Sequence, residues 1–263
     1  MPMRLDYRVR VLEKSELRDF VGVFIFDWIL NMVKNVSKRF RGASSFKSWC
    51  LAIHVKAMKS LNNEPFYTGC LTKDEEYSIG IAFLNDYLGE ILSRKLLDSD
   101  KIMSGPLKLS VEAIKVRRNS FRELYHAKIS SRIGLLFETP TVLGDYKTHA
   151  NLFPEPPRLF ERILDVWNKF APKNLILPRN PLINWARENM RVRSYKLRAR
   201  SFSIRDEFVK GFFGRLEIIC QTREGLEYFA PLLNFLEYAN IGEKNYCGFG
   251  AISYTDLSGI HPK

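Results

Sequence analysis

The residues best suited to chemistry lie near the carboxyl end, in the run Asn240-Ile241-Gly242-Glu243-Lys244-Asn245-Tyr246-Cys247-Gly248-Phe249-Gly250-Ala251-Ile252. A glycine carries no Cβ and reaches positive φ cheaply, so glycines between a helix and a strand expose backbone amides. Amides beside a lysine suit a phosphate. Gly242, Lys244, Gly248 and Gly250 are therefore candidates to hold a phosphate or a base, although close packing of helix on strand explains Gly250 equally well. A second signal lies in residues 187–205, the densest basic stretch of the chain. Arg191 and Arg193, then Lys196, Arg198 and Arg200, recur every second residue, while Val192, Tyr195, Leu197 and Ala199 take the opposite parity. On a strand this spacing puts the cations on one face, with a change of register near Ser194. A solvated outer face needs no partner, but such a face mixes signs, and no acid stands between Arg191 and Arg205. Arginines in a row track phosphates well.

These residues need elements to position them. Alternation over 5–11 predicts a strand. Ser15 looks like the N-cap of a helix running from residue 17 to about residue 40, whose last turns carry Lys34, Lys38, Arg39 and Arg41. Cations at a helix C-terminus are favourable without any function; the alternative is that Lys34 and Lys38, on one face, point into a ligand cleft. Residues 46–60 read as a second helix holding Trp49, Leu51, His54 and Met58, and residues 65–71 as the second strand. Residues 77–83, a helix over 87–97 and a strand over 107–116 complete a first domain of order βαββαβ, the ferredoxin-like order. A linker is expected at 117–127. The order then repeats: a strand at 133–139, a helix whose first turn holds Pro157 and whose core face holds Phe160, Ile163, Leu164 and Trp167, the basic strand, a strand over 208–220, a helix over 226–238 that Pro231 should divide, and a last strand at 250–254. The expected fold class is α+β, two tandem ferredoxin-like (RRM-like) domains, 1–120 and 128–263, with a C-terminal glycine-rich loop.

Composition narrows the partner. The 263 residues allow two modest domains, and a net charge of +12 with an isoelectric point near 9.5 favours nucleic acid or a membrane surface. The most apolar run, 20–30, holds Asp27 and falls short of the roughly 20 residues that span a bilayer. With no export signal in view, no membrane association and a cytoplasmic location are expected. The four cysteines, Cys50, Cys70, Cys220 and Cys247, form no CxxC pair, and the four histidines, His54, His126, His149 and His261, form no metal set. No metal is expected, and no disulfide in a reducing compartment.

Two segments resemble a known family. Ile241-Gly242-Glu243-Lys244-Asn245 followed by Gly248-Phe249-Gly250 resembles the glycine-rich loop of the CRISPR-associated RAMP proteins, most closely the repeat-processing endoribonucleases of the sixth Cas family. Residues 135–141 (Leu-Leu-Phe-Glu-Thr-Pro-Thr), then Phe153-Pro154-Glu155-Pro156, Leu159-Phe160 and Trp167-Asn168-Lys169-Phe170, resemble the strand, loop and helix that open that family's second domain. The resemblance covers the second half well and the first half loosely. It implies cleavage of CRISPR repeat RNA without cofactor, by attack of a 2′-hydroxyl on the adjacent phosphorus, leaving a 2′,3′-cyclic phosphate.

The same resemblance places a catalytic histidine before the second strand. His54 is the matching candidate for proton transfer, with Lys34, Lys38 or Lys59 as the electrostatic partner; the spacing also suits a core histidine flanked by Leu51 and Met58. A lysine-based site around Lys34 and Lys38 stays open. The competing readings are a non-catalytic RNA-binding subunit of an interference (Cascade-like) complex and a small-molecule regulator with paired ferredoxin-like domains; a homodimer is a further assembly state to test. The regulator leaves the basic strand unexplained, and fold alone does not separate the other two.

Overall fold

A computed structural model describes residues 1–36, 52–126, 129–144 and 152–257. The chain forms two compact units. The first comprises Met1–Arg118 with Ser201–Val209 and Lys244–Phe249; the second comprises Asn119–Arg200, Lys210–Glu243 and Gly250–Lys263.

In the first unit the strands are β1 (Met3–Val11), β2 (Ser15–Leu17), β3 (Ile53–Ser60), β4 (Pro65–Phe66), β5 (Gly69–Leu71), β6 (Glu76–Phe83), β7 (Lys101–Ser104) and β8 (Leu107–Arg118), and the helices are α1 (Val21–Val36) and α2 (Asp86–Leu97). The main sheet has the order β4-β3-β6-β1-β8-β7. Its four long strands β3, β6, β1 and β8 are antiparallel neighbours in the ferredoxin-like arrangement. Strand alternation sorts β1 cleanly: Leu5, Tyr7 and Val9 are buried. Tyr7 meets Trp28 of α1 edge-on and donates its hydroxyl to the Leu96 carbonyl of α2. The even residues Arg4, Asp6, Arg8 and Arg10 therefore occupy the face turned away from the helices.

Several sequence expectations change here. Ser15 is not a cap: Ser15–Leu17 pairs with Gly69–Leu71 as a two-stranded ribbon, and the helix begins at Val21. Residues 53–60, expected as helix, form a central strand. The helical spacing of Leu51, His54 and Met58 misled because a buried strand has a continuous apolar face and period alone does not identify it. Residues 65–71, expected as the second strand, supply only two short edge pieces. The linker expected at 117–127 is structured: β8 runs to Arg118, and Ser120 and Glu123 form a capping box that starts the five-residue helix α3 (Phe121–Tyr125).

The second unit holds α3, β9 (Arg132–Thr141), α4 (Pro156–Phe170), α5 (Arg179–Asn189), α6 (Ala230–Phe235) and β12 (Ile252–Asp256), with most of β10 (Met190–Ile204) and β11 (Glu207–Cys220). Its sheet has the order β10-β11-β9-β12, the same arrangement as the first. Phe160, Ile163, Leu164 and Trp167 of α4 are buried as their spacing predicts. Trp167 packs edge-on against Phe121 and Phe235 and donates its indole N–H to the Leu175 carbonyl. A 3-10 turn, Leu226–Phe229, precedes α6, so the expected helix over 226–238 is divided where Pro231 sits in the first turn of α6.

Candidate functional site

Strand β10 is the edge of the second unit's sheet, and along it Arg191, Arg193, Lys196, Arg198 and Arg200 are all exposed. Their environments differ. The Arg191 guanidinium donates to the carbonyls of Arg187 and Met190 at 2.9 and 2.8 Å, closing the end of α5. Arg193 donates to Glu217 Oε1 at 2.9 Å, and the neighbouring Ser194 hydroxyl donates to Glu217 Oε2 at 3.2 Å. Two consecutive residues reaching one carboxylate interrupt the alternation at Ser194, where the sequence places the register change. Lys196 and Arg198 have no ion pair among the described residues. The middle of the row is thus the part open to an anion, while its beginning is committed to the fold.

The glycine-rich loop is divided between the units. In the second, Gly242 has φ 82°, and a Cβ there would meet the Val142 carbonyl oxygen at 2.1 Å; at Gly250, φ 72°, it would meet the Ile241 oxygen at 1.8 Å. The Gly250 amide donates to the Pro140 carbonyl. In the first unit, Lys244 and Gly248 adopt left-handed conformations on either side of a single 3-10 turn, Asn245–Cys247, and the Gly248 amide donates to the Asn245 carbonyl. The amides of Gly248 and Gly250 are therefore used within the protein, and Lys244 Nζ donates to Glu207 Oε2 at 2.8 Å. Phe249 seats the turn, meeting Phe20 edge-on; Phe20 in turn stacks on Tyr67 and meets Phe202 edge-on.

The turn lies close to two other elements of the first unit. Gly22, in the first turn of α1, faces the Cys247 carbonyl oxygen, which a Cβ would approach to 1.8 Å, and the carbonyl of Val55 lies 3.5 Å from a Cβ built on Gly248. Val55 adjoins His54 on β3. Register pairs His54 with Ala82 and Lys59 with Ser78, so both lie on the face turned away from the helices. An odd separation of five would put them on opposite faces; the register shift between Val55 and Met58 removes the difference. Lys56 joins them, its Cβ 2.9 Å from a Cβ built on Gly80.

His54 has 0% exposure and Lys56 3%, whereas Lys59 is half-buried. Lys34 lies in α1, with its side chain outside the described residues, and Lys38 lies outside them altogether. Among the other histidines, His126 is exposed at the end of α3, and His149 and His261 fall outside the described residues. Burial pushes the Cys247 thiol up to about 12 and the Cys220 thiol up to about 11. Among the described residues no group of histidine, cysteine or carboxylate side chains could hold a metal ion, and no helix is long and apolar enough to cross a membrane.

Sequence reasoning missed Gly22, Lys56 and Glu217. A lone glycine inside an apolar helical run is the signal that could have found Gly22. Lys56 carries no local signal, because a strand taken for a helix assigns it to another face. Glu217 becomes visible only once β11 lies beside β10.

Residues 135–252 match the family model described as CRISPR-associated endoribonuclease Cas6. A Cas6 product complex has a TM-score of 0.76 to this structure at 17% identity, covering 97% of this chain and 99% of that one; the same Cas6 has also been solved from Thermus thermophilus under its own name. A second Cas6, solved as a substrate mimic complex, gives a TM-score of 0.69 at 20% identity, covering 96% of this chain and 99% of that one. A Cas6-related protein from Pyrococcus furiosus gives 0.65 at 13%, covering 97% and 99%. No protein of curated function matches the sequence. The family model spans β9, the basic strand and the glycine-rich loop, and the double ferredoxin-like fold is shared with solved Cas6 proteins over nearly the whole length, so this chain is similar to the Cas6 family in its second half and in its fold.

Proposed function

We propose that this chain is a metal-independent, sequence-specific endoribonuclease that cuts CRISPR precursor RNA within its repeats to release guide RNAs. The observation that carries the reading is the match of residues 135–252 to an endoribonuclease family, because that segment contains both the basic strand and the glycine-rich loop. Similar proteins have been solved with a product and with a substrate mimic, which supports repeat RNA as the partner. Assembly into an interference complex or a homodimer is compatible with this role.

In the reaction, the 2′-oxygen bonds to the adjacent phosphorus as the bond from phosphorus to the 5′-oxygen breaks. A base takes the 2′-hydroxyl proton, an acid returns one to the 5′-oxygen, and cations offset the phosphorane charge. His54 serves proton transfer and Lys34, Lys38 or Lys59 the charge. Lys196, Arg198 and Arg200 hold the RNA backbone, with Arg191 and Arg193 fixing the strand that carries them. Lys244 and Gly248 shape the turn against α1 and β3, and Gly242 and Gly250 pack on backbone of the second unit, more than they bind phosphate, since a Cβ at three of these positions meets backbone or ring atoms and Lys244 is paired.

A second reading has one specific observation in its favour. His54 has no exposed surface, as expected of a core histidine in a non-catalytic RNA-binding subunit. Incubating the full chain with labelled repeat RNA in EDTA decides between them, beside the same RNA carrying a deoxyribose at each position in turn. Cleavage abolished by one deoxy substitution and by His54→Ala supports the enzyme and its histidine. Cleavage that survives His54→Ala and fails in Lys34→Ala or Lys38→Ala moves the chemistry to the lysines. Tight binding of an intact repeat with no cleavage supports the subunit.

A further inference from the structure

We propose that the outer edge of β8, in the first unit, takes up an extended segment of a partner protein as an added strand, one in which acidic and apolar residues alternate. The inference is independent of the nuclease chemistry. β8 pairs with β1 over residues 109–118, but its other neighbour, β7, covers only residues 107–110. The Val111 amide then donates to the Asp100 carbonyl at 2.8 Å. Beyond it no strand pairs with that edge among the described residues. Glu112 is the extra residue of a bulge, since Val9 pairs with Val111 and Arg8 with Ala113. Residues 113–118 then run on regularly, a stretch about 20 Å long at about 3.4 Å per residue.

An unpaired edge is a template for another strand, and proteins limit such edges with short strands or with charge. The opposite edge of this sheet is limited by length, β4 being two residues long. On β8 the charge lies on one face only, and it selects among strands. Register sets Val116 opposite Leu5 and Ile114 opposite Tyr7, on the side of the sheet that the helices cover. Leu5 and Tyr7 are buried there, whereas Val116 is 41% exposed, so apolar surface stays open at this end of β8. Both β-branched residues suit a strand neighbour. Lys115, opposite Asp6, and Arg117, opposite Arg4, occupy the other face.

The acids near this edge are committed to the fold. Glu112 accepts from the Ser110 hydroxyl at 2.8 Å and lies 3.7 Å from the Arg10 guanidinium; Asp6 is held by Arg4 at 2.7 Å and by Arg117 at 2.6 Å. Lys115 and Arg118 are exposed and have no ion pair among the described residues. A carboxylate directly across from Lys115 makes a favourable cross-strand pair, and a cation there an unfavourable one. This distinguishes the occupant. A second copy of the same edge offers no acid, because residues 113–118 read Ala-Ile-Lys-Val-Arg-Arg. A segment alternating acidic and apolar residues meets Lys115 on one face and Ile114 and Val116 on the other in a single register, and a slip by one residue would exchange the faces. Main-chain bonds then supply affinity and the alternate side chains specificity.

The test is fluorescence anisotropy of the full chain with a short labelled peptide alternating valine and glutamate, beside a peptide of the same composition whose valines and glutamates form two blocks. The alternating peptide should bind about tenfold more tightly. Lys115→Glu, at an exposed position, should fold as the parent does and reverse the preference, taking a valine–lysine peptide over the valine–glutamate one. Along a strand, residues of one face turn their amides to the neighbour and residues of the other face turn theirs away. N-methylation of every valine or of every glutamate should therefore differ, one peptide losing its binding and the other keeping it, with no variant of the protein required. Equal binding of the alternating and blocked peptides overturns the proposal, as does an unchanged preference in Lys115→Glu or a pair of methylated peptides that behave alike. A dimer that the peptide dissociates in sedimentation gives the edge to a second copy, and displacement of the peptide by repeat RNA gives it to nucleic acid; either result overturns this occupant.

Discussion

Replacing Lys196 and Arg198 together by alanine isolates the part of the basic strand that has no structural duty. Both are exposed and have no ion pair among the described residues, so their removal should leave unfolding within about 0.5 kcal/mol of the parent. Each cation on a phosphate releases counterions, contributing about 0.7 to the salt exponent on a single strand and about 0.9 on a duplex. Losing two contacts should lower the exponent by about 1.4 to 1.8, so that raising salt from about 50 to 200 mM costs the parent about 7- to 12-fold more affinity than the variant. Repeat RNA titrated at four salt concentrations gives the slope directly. Arg191→Ala and Arg193→Ala are the controls. Arg191 caps α5 and Arg193 neutralises Glu217, so their loss should appear mainly as instability, of up to about 1 kcal/mol for the partly exposed Arg193 pair. A double variant with an unchanged slope, or one no different from the Arg191 variant, would refute the division of the row.

Gly22→Ala forces a methyl to within 1.8 Å of the Cys247 carbonyl; overpacking of this kind costs about 1–3 kcal/mol, and a melting temperature equal to the parent's would count against the close approach. Gly250→Ala, aimed at the Ile241 oxygen from a positive φ, should likewise lower the melting temperature, whereas a stable variant that fails only in RNA binding would restore the loop as a phosphate cradle. Alkylation of the native protein followed by mass spectrometry should modify exposed Cys70 quickly, while Cys220 and Cys247, buried and pushed up to about 11 and about 12, stay protected; equal labelling of Cys247 and Cys70 would contradict the burial. Glu76, held by Arg8, Glu123, held by the Ser120 amide, and Glu217 all sit below the ordinary carboxylate value in the folded state. Their contribution to stability is complete above about pH 4.5 and is lost as pH falls through the folded values, so urea unfolding should show the parent losing stability below pH 4.5 more steeply than Glu217→Gln.

Legibility in the sequence followed how directly each element's residues report its surroundings. α4 was legible because one of its faces is apolar and the other is not, so Phe160, Ile163, Leu164 and Trp167 declare both the helix and its buried side. β10 was legible because an edge strand with its outer positions in water keeps period two in charge. β3 was not. A central strand buried on both faces hides its period, and the bulge between Val55 and Met58 erases what remains. With that strand misread, the face shared by His54, Lys56 and Lys59 could not be seen, nor the burial that makes His54 a difficult catalyst. β2 failed for a different reason: three residues from Ser15 carry too little pattern to compete with a serine before an apolar run, which is a standard helix-start signal.

The glycine-rich loop shows how a motif can be recognised correctly for a reason that is only partly right. Glycines were expected there because amides must reach a phosphate, yet the amides of Gly248 and Gly250 donate to Asn245 and Pro140. What requires glycine at 242 and 250 is the backbone packed against each Cα, at distances no side chain tolerates, combined with positive φ. The loop's role then shifts from contact to placement. By seating Phe249 among Phe20, Tyr67 and Phe202, and by lying against Gly22 of α1 and the Val55 carbonyl of β3, it ties down the two elements that carry Lys34 and His54. A substitution in such a loop can abolish activity without touching the substrate, and only a measurement of stability alongside cleavage separates that effect from the loss of a phosphate contact.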